Sequence, residues 1–141
     1  MPPVKLLFIC SRNEIRSLTA ERLFDGSAQY QARSAGTQPQ ARVKITEGLL
    51  GWADLVFVME KSHLRRLEER FPEAMAGKTV ICLNVPDDYA YMDPALIEEF
   101  EGKLPAHLPA WPPRAGEPVI SDQLVSAEEA RALFLSGSLT Y

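Results

Sequence analysis

The chain has 141 residues, with 15 Lys and Arg against 19 Asp and Glu, a net charge of −4 and 46% hydrophobic residues. That length suits one domain able to bury a core without disulfides or metals, and the acidic balance argues against general nucleic-acid binding. Cys10 and Cys82 are too few for a disulfide framework, His63 and His107 are not spaced as a metal pair, and no apolar run nears the roughly 20 residues of a membrane helix, so a reduced, cytoplasmic, metal-free protein with no membrane or nucleic-acid partner is expected. Val4 to Ile9 is an apolar run broken only by Lys5 and reads as a buried strand. A helix is predicted from Arg16 to Asp25, with Ala20, Leu23 and Phe24 on one face and Gly26 as its stop. Tyr30 to Ser34 alternates as an edge strand does, and Ile45, Leu49 and Leu50 suggest a short helix. Leu55 to Met59 is a second buried strand. Leu64, Leu67 and Phe71 form the apolar stripe of a helix that Pro72 ends, with Lys61, Arg65, Arg66 and Arg70 on its solvated side. Thr79 to Leu83 is a third apolar strand. Asp93-Pro94 reads as an N-cap with proline at the first helical position, and Leu96, Ile97, Phe100 and Leu104 as that helix's buried face.

Five of the eleven prolines fall between Pro105 and Pro118. Proline removes a backbone donor and fixes φ, so this stretch reads as an extended connector. A short helix follows from Ser126 to Leu135, opened by a Ser126–Glu129 capping box. The chain thus divides into a body over residues 1–104 and a Pro-rich connector plus short helix over 105–141. Strands alternating with helices imply a mostly parallel α/β sheet with helices on both faces. In such sheets ligands bind beyond the carboxyl ends of the strands, which directs attention to the residues after Ile9, Met59 and Leu83.

The first strand ends at Cys10, and Ser11, Arg12, Asn13, Glu14, Ile15, Arg16 and Ser17 lead into the helix. A loop in this setting can turn its N–H groups inward as an anion-binding nest, and the helix N-terminus adds positive potential. Arg16 can grip two phosphate oxygens with its planar fork. A cysteine at the base of that nest is favoured as thiolate, and Ser17 can donate to it. Asn13 tolerates the left-handed backbone that such a loop needs. The pattern predicts a phosphate-binding loop, open to phosphate or sulfate, with a nucleophilic sulfur beneath it and no cofactor. A cysteine after a core strand is otherwise a small buried hydrophobe, the reading kept for Cys82. The leaving group needs an acid at the same sheet edge, and Val85-Pro86-Asp87-Asp88-Tyr89 offers two carboxylates there, although Pro-Asp-Asp also suits a plain turn.

Leu7-Phe8-Ile9-Cys10, Asn13, Arg16-Ser17, Thr19-Ala20-Glu21, Ser34-Ala35-Gly36-Thr37, Ala53 to Met59, Ser62-His63-Leu64 and Val85-Pro86-Asp87 occur in this order over about residues 4 to 100. In these segments the chain resembles the low-molecular-weight protein tyrosine phosphatases. The resemblance implies a three-layer, flavodoxin-like, four-stranded parallel sheet of order 2-1-3-4. It also implies phosphomonoester hydrolysis with Cys10 as nucleophile, Arg16 as phosphate clamp, Asp87 as general acid and Tyr89 on the substrate pocket rim. The expected substrate is then a phosphorylated protein, phosphotyrosine above all, or a small phosphomonoester. The chain departs from the family at Arg12, where a glycine is usual, and at Glu14, an acid beside an anion site that is expected to point outward. Ile15 stands where the family has a second loop cysteine, which removes the protective disulfide. The run Asp87-Asp88-Tyr89-Ala90 replaces Asp-Pro-Tyr-Tyr and makes Asp88 an alternate acid. The segment from Thr37 to Ala53 is short, and the Pro-rich tail has no family counterpart. Two other readings stay open: an arsenate reductase-like enzyme, which needs further relay cysteines, and a non-catalytic phosphate-binding module.

Overall fold

The computed structural model describes residues 2–109. The Ser126–Leu135 helix, its capping box and the connector beyond residue 109 lie outside the described residues. The elements are β1 (Val4–Cys10), α1 (Arg16–Arg22), β2 (Tyr30–Gly36), α2 (Glu47–Trp52), β3 (Leu55–Val58), α3 (Lys61–Arg70), α4 (Pro72–Met75), β4 (Val80–Cys82) and α5 (Pro94–Lys103), followed by a 3₁₀ turn at Leu104–Ala106. The four strands are parallel in the order β2-β1-β3-β4, the topology that the family resemblance implies.

Side-chain alternation along β1 assigns the two helical layers. Leu6, Phe8 and Cys10 point to one face, where Ala20, Leu23 and Phe24 from α1 and its exit meet Leu96, Ile97 and Phe100 of α5. Leu7 and Ile9 point to the other, against Ile45, Leu50, Leu67 and Met75. Both faces are covered, which is why β1 needs an almost unbroken apolar run rather than an alternating one. Phe8 sits between Phe24 and Phe57, ring centroids 5.7 and 5.1 Å away. Cys82 packs against the layer opposite the one that takes Cys10.

Several boundaries differ from the predicted ones for local reasons. α1 ends at Arg22, and Leu23–Gly26 form turns closed by Gly26 at φ 81°. β2 runs two residues further than expected, to Gly36, because Gly36 pairs in register with Cys10. Pro72, which ends α3, also starts the one-turn helix α4, proline being suited to a first helical position. The connector begins as the 3₁₀ turn, not as extended chain, and Leu104 and Leu108 are buried in the α1/α5 layer. The Asp93 cap forms as read: its carboxylate accepts from the Ala95 N–H.

Among the described residues no helix is long and apolar enough to cross a membrane.

Candidate active site

The strand order reverses at β1, whose neighbours are β2 and β3, so a crevice opens beyond the carboxyl ends of β1 and β3. A cavity of about 320 Å³ lies there, lined by Cys10, Ser11, Arg12, Glu14, Ile15, Arg16, Gln38 and Asp87. The structure therefore brings together Cys10, Arg16, Asp87 and most of the 11–17 loop.

Cys10 is buried at the end of β1. Its Sγ accepts from the Asn13 N–H at 3.2 Å and lies 2.9 Å from Ser17 Oγ. Ser17 Oγ accepts from Asn13 Nδ2 at 2.8 Å, and its own proton has the sulfur at 2.9 Å as a nearer acceptor than the Ala35 carbonyl at 3.5 Å. Asn13 adopts φ 59°, the left-handed conformation expected of it, and this turns its N–H inward toward Cys10. The loop is anchored from outside by Gln38 N–H to Ser11 O (3.0 Å), Arg42 N–H to Arg12 O (2.9 Å) and Arg42 Nε to Asn13 O (3.1 Å). β2 passes so close that only glycine fits at its last residue: a Cβ on Gly36 would lie 2.5 Å from Ser11 O.

Arg16 is buried at the first position of α1. Its Nη1 donates to Glu60 Oε2 (2.5 Å) and to the Val85 carbonyl (2.9 Å). The guanidinium is thus gripped from one side by the ends of β3 and β4, and the Nε edge turns toward Asp87 Oδ1 at 3.7 Å. Glu60 is the neighbour of Arg16 that sequence reasoning missed. Its only signal is an acid immediately after the second buried strand, at the sheet edge where chemistry was sought.

His63 lies in the first turn of α3, where its ring completes a capping box with Glu60. Its Nδ1 accepts from the Glu60 N–H at 3.1 Å, and its Nε2 also reaches Ser11 Oγ at 3.0 Å. Burial, reinforced by the nearby Arg16 cation, lowers its pKa to about 4.

Asp87 is exposed on the loop after β4 and faces the cavity. That loop is tied down by the Arg16–Val85 bond, by Met92 N–H to Thr19 Oγ1 and by Lys103 Nζ to the Asn84 carbonyl. Asp88 is exposed and does not line the cavity. Tyr89 is half-buried against the α1/α5 layer and is likewise absent from the cavity wall. Its pKa is raised by desolvation first and then by the carboxylates of Glu99, Asp88 and Asp93. Arg12 and Glu14 are both exposed and both line the cavity. Arg70, read as part of a solvated face, donates to the Thr37 carbonyl at 3.0 Å.

No protein-family model matches the chain, and a search of curated proteins finds no match. Solved structures do. The tyrosine phosphatase Wzb from Escherichia coli K30, in complex with phosphate, is 26% identical at a TM-score of 0.56, over 70% of this chain and 91% of that one. A low molecular weight protein tyrosine phosphatase from T. tengcongensis is 25% identical at 0.54, over 70% and 91%. The YwlE arginine phosphatase from Geobacillus stearothermophilus, 21% identical at 0.53 over 74% and 94%, shares the fold. Wzb has also been crystallised with sulphate. In fold and in these likenesses, the chain is similar to the low-molecular-weight protein tyrosine phosphatases.

Proposed function

We propose that the protein hydrolyses phosphomonoesters, phosphotyrosine in proteins among them, through a covalent intermediate on Cys10, in the reducing cytoplasm. The observation that carries this reading is the sulfur itself: it lies at the floor of the cavity, held by two donors, with Arg16 and Asp87 in the same wall. The Cys10 thiolate attacks phosphorus in line. A P–S bond forms as the P–O bond to the leaving group breaks, and Asp87 gives its proton to the departing oxygen. The Nε edge of Arg16 and N–H groups of the 11–17 loop stabilise the equatorial oxygens. Water then attacks phosphorus with Asp87 taking its proton, the P–S bond breaks, and inorganic phosphate leaves.

Asp87 is favoured over Asp88 as the acid because it alone of the two faces the cavity. Tyr89, packed inward, serves the rim only if the 83–93 loop turns it outward on binding. Cys82 packs on the other side of the sheet from Cys10, which weighs against an arsenate reductase-like thiol relay. The test is turnover of para-nitrophenyl phosphate over about pH 5–8 by wild type, Cys10→Ser, Asp87→Asn and Asp88→Asn. Activity lost with Cys10→Ser, modestly reduced with Asp87→Asn, because p-nitrophenolate leaves readily without an acid, and retained with Asp88→Asn is expected. An inactive wild type that still binds phosphate would favour a non-catalytic module.

A further inference from the structure

The phosphate-binding reading assigns no task to the first side chain of the loop. Ser11 lines the cavity directly after Cys10, and its Oγ lies 3.0 Å from His63 Nε2. A hydroxyl beside an imidazole can donate or accept, and the tautomer decides which. Here the other ring nitrogen settles it. Nδ1 accepts the Glu60 N–H at 3.1 Å and therefore carries no proton, so the neutral ring holds its proton on Nε2. With its pKa lowered to about 4, the ring is neutral at ordinary pH. Nε2–H donates to Ser11 Oγ, and the serine keeps its own proton for another acceptor. Among the described residues no other side chain hydrogen-bonds Ser11 Oγ.

We propose that Ser11 is a substrate-binding residue that donates its O–H to an oxygen of the phosphoryl group above Cys10, and that His63 is a positioning residue that fixes this polarity. The inference rests on the reading that the cavity takes a phosphoryl group. With the opposite tautomer, Ser11 would donate to the ring and turn lone pairs toward an anion. The Glu60 N–H excludes that arrangement, while the Glu60 carboxylate holds Arg16. The N-terminus of α3 thus orients two donors at once, the Arg16 fork through the Glu60 side chain and the Ser11 hydroxyl through His63.

The test is competitive inhibition of para-nitrophenyl phosphate turnover by inorganic phosphate, with thermal unfolding measured on each variant. Ser11→Ala should weaken phosphate binding roughly tenfold, as loss of a hydrogen bond to a charged group does, with only the drop in melting temperature that the unpaired His63 Nε2–H brings. His63→Ala should show a similar loss together with lower stability, since it opens a buried site. His63→Gln, whose amide N–H can replace Nε2–H, should bind phosphate within about threefold of wild type. In the Ser11→Ala background, His63→Ala should cost no further phosphate affinity. Wild-type phosphate affinity in Ser11→Ala, or an undiminished His63→Ala effect in that background, overturns the proposal alone. A wild type with neither turnover nor phosphate binding overturns the phosphatase reading and this proposal with it.

Discussion

Gly36→Ala is a substitution outside the residues assigned to chemistry that should nonetheless disable the site. Gly36 ends β2 in register with Cys10, and the 11–17 loop lies against its Cα. An added Cβ would meet Ser11 O at 2.5 Å, Ala41 Cβ at 2.6 Å and the Arg12 carbonyl carbon at 2.9 Å. Ordinary contact begins near 3.4 Å, so Ser11 O must retreat by about 0.9 Å. Two of the three obstacles are backbone, and the bonds Gln38 N–H to Ser11 O and Arg42 N–H to Arg12 O must stretch as they move. Overpacking of this kind costs about 1–3 kcal/mol. For a chain of this size that lowers the melting temperature by roughly 3–12 °C. Displacing a catalytic loop by about 1 Å costs on the order of 10²-fold in rate. Turnover of para-nitrophenyl phosphate, measured well below the variant's melting temperature, separates the two effects. A folded Gly36→Ala with wild-type kcat/KM would refute the claim that loop placement over β2 governs activity.

Asp87→Asn should lower kcat by about 10²- to 10⁴-fold for substrates with poor leaving groups, and much less for para-nitrophenyl phosphate, whereas Asp88→Asn stays near wild type; a series of aryl phosphates reads the difference. Hydrogen peroxide should inactivate the enzyme progressively past sulfenate, with incomplete recovery by dithiothreitol, because no second thiol faces Cys10; the same result in Cys82→Ser is expected, and a Cys10–Cys82 disulfide found by peptide mapping would contradict it. His63 binds its proton near pH 6.5 when unfolded and near 4 when folded, so the unfolded state takes up protons first as pH falls. Stability should therefore be unaffected by this group above about pH 6.5 and decline between there and 4, by at most about 3 kcal/mol, and the decline should shrink in His63→Gln. Phe8→Ala, which removes the ring between Phe24 and Phe57, should cost about 3–5 kcal/mol by denaturant unfolding.

The layers were legible in the sequence because the burial pattern leaves little choice: Leu6 to Ile9 can be apolar throughout only if both faces are covered. The loop was legible because Cys10, Asn13, Arg16 and Ser17 lie within eight consecutive residues, so local geometry brings them together. What supports them from a distance was not. Glu60 is 44 residues from Arg16, and His63 is 52 residues from Ser11. Nothing local distinguishes either from an ordinary helix-start residue, and only the parallel pairing of β1 with β3 makes them neighbours. The crowding at Gly36 likewise depends on the β1–β2 register, which residue types alone do not specify. Arg70 is exposed as read, and only its bond to the Thr37 carbonyl was not legible, because Thr37 lies in a loop whose path the sequence leaves open.

The central claim is that phosphoryl transfer passes through the Cys10 sulfur. It is tested most directly by acid-quenching a para-nitrophenyl phosphate reaction within its first turnover and locating the phosphoryl group by peptide mass spectrometry. The expected result is an acid-stable adduct on the peptide containing Cys10, absent from Cys10→Ser, which should also lose turnover. Turnover that persists in Cys10→Ser, or a phosphoryl group found on any other residue, would contradict it.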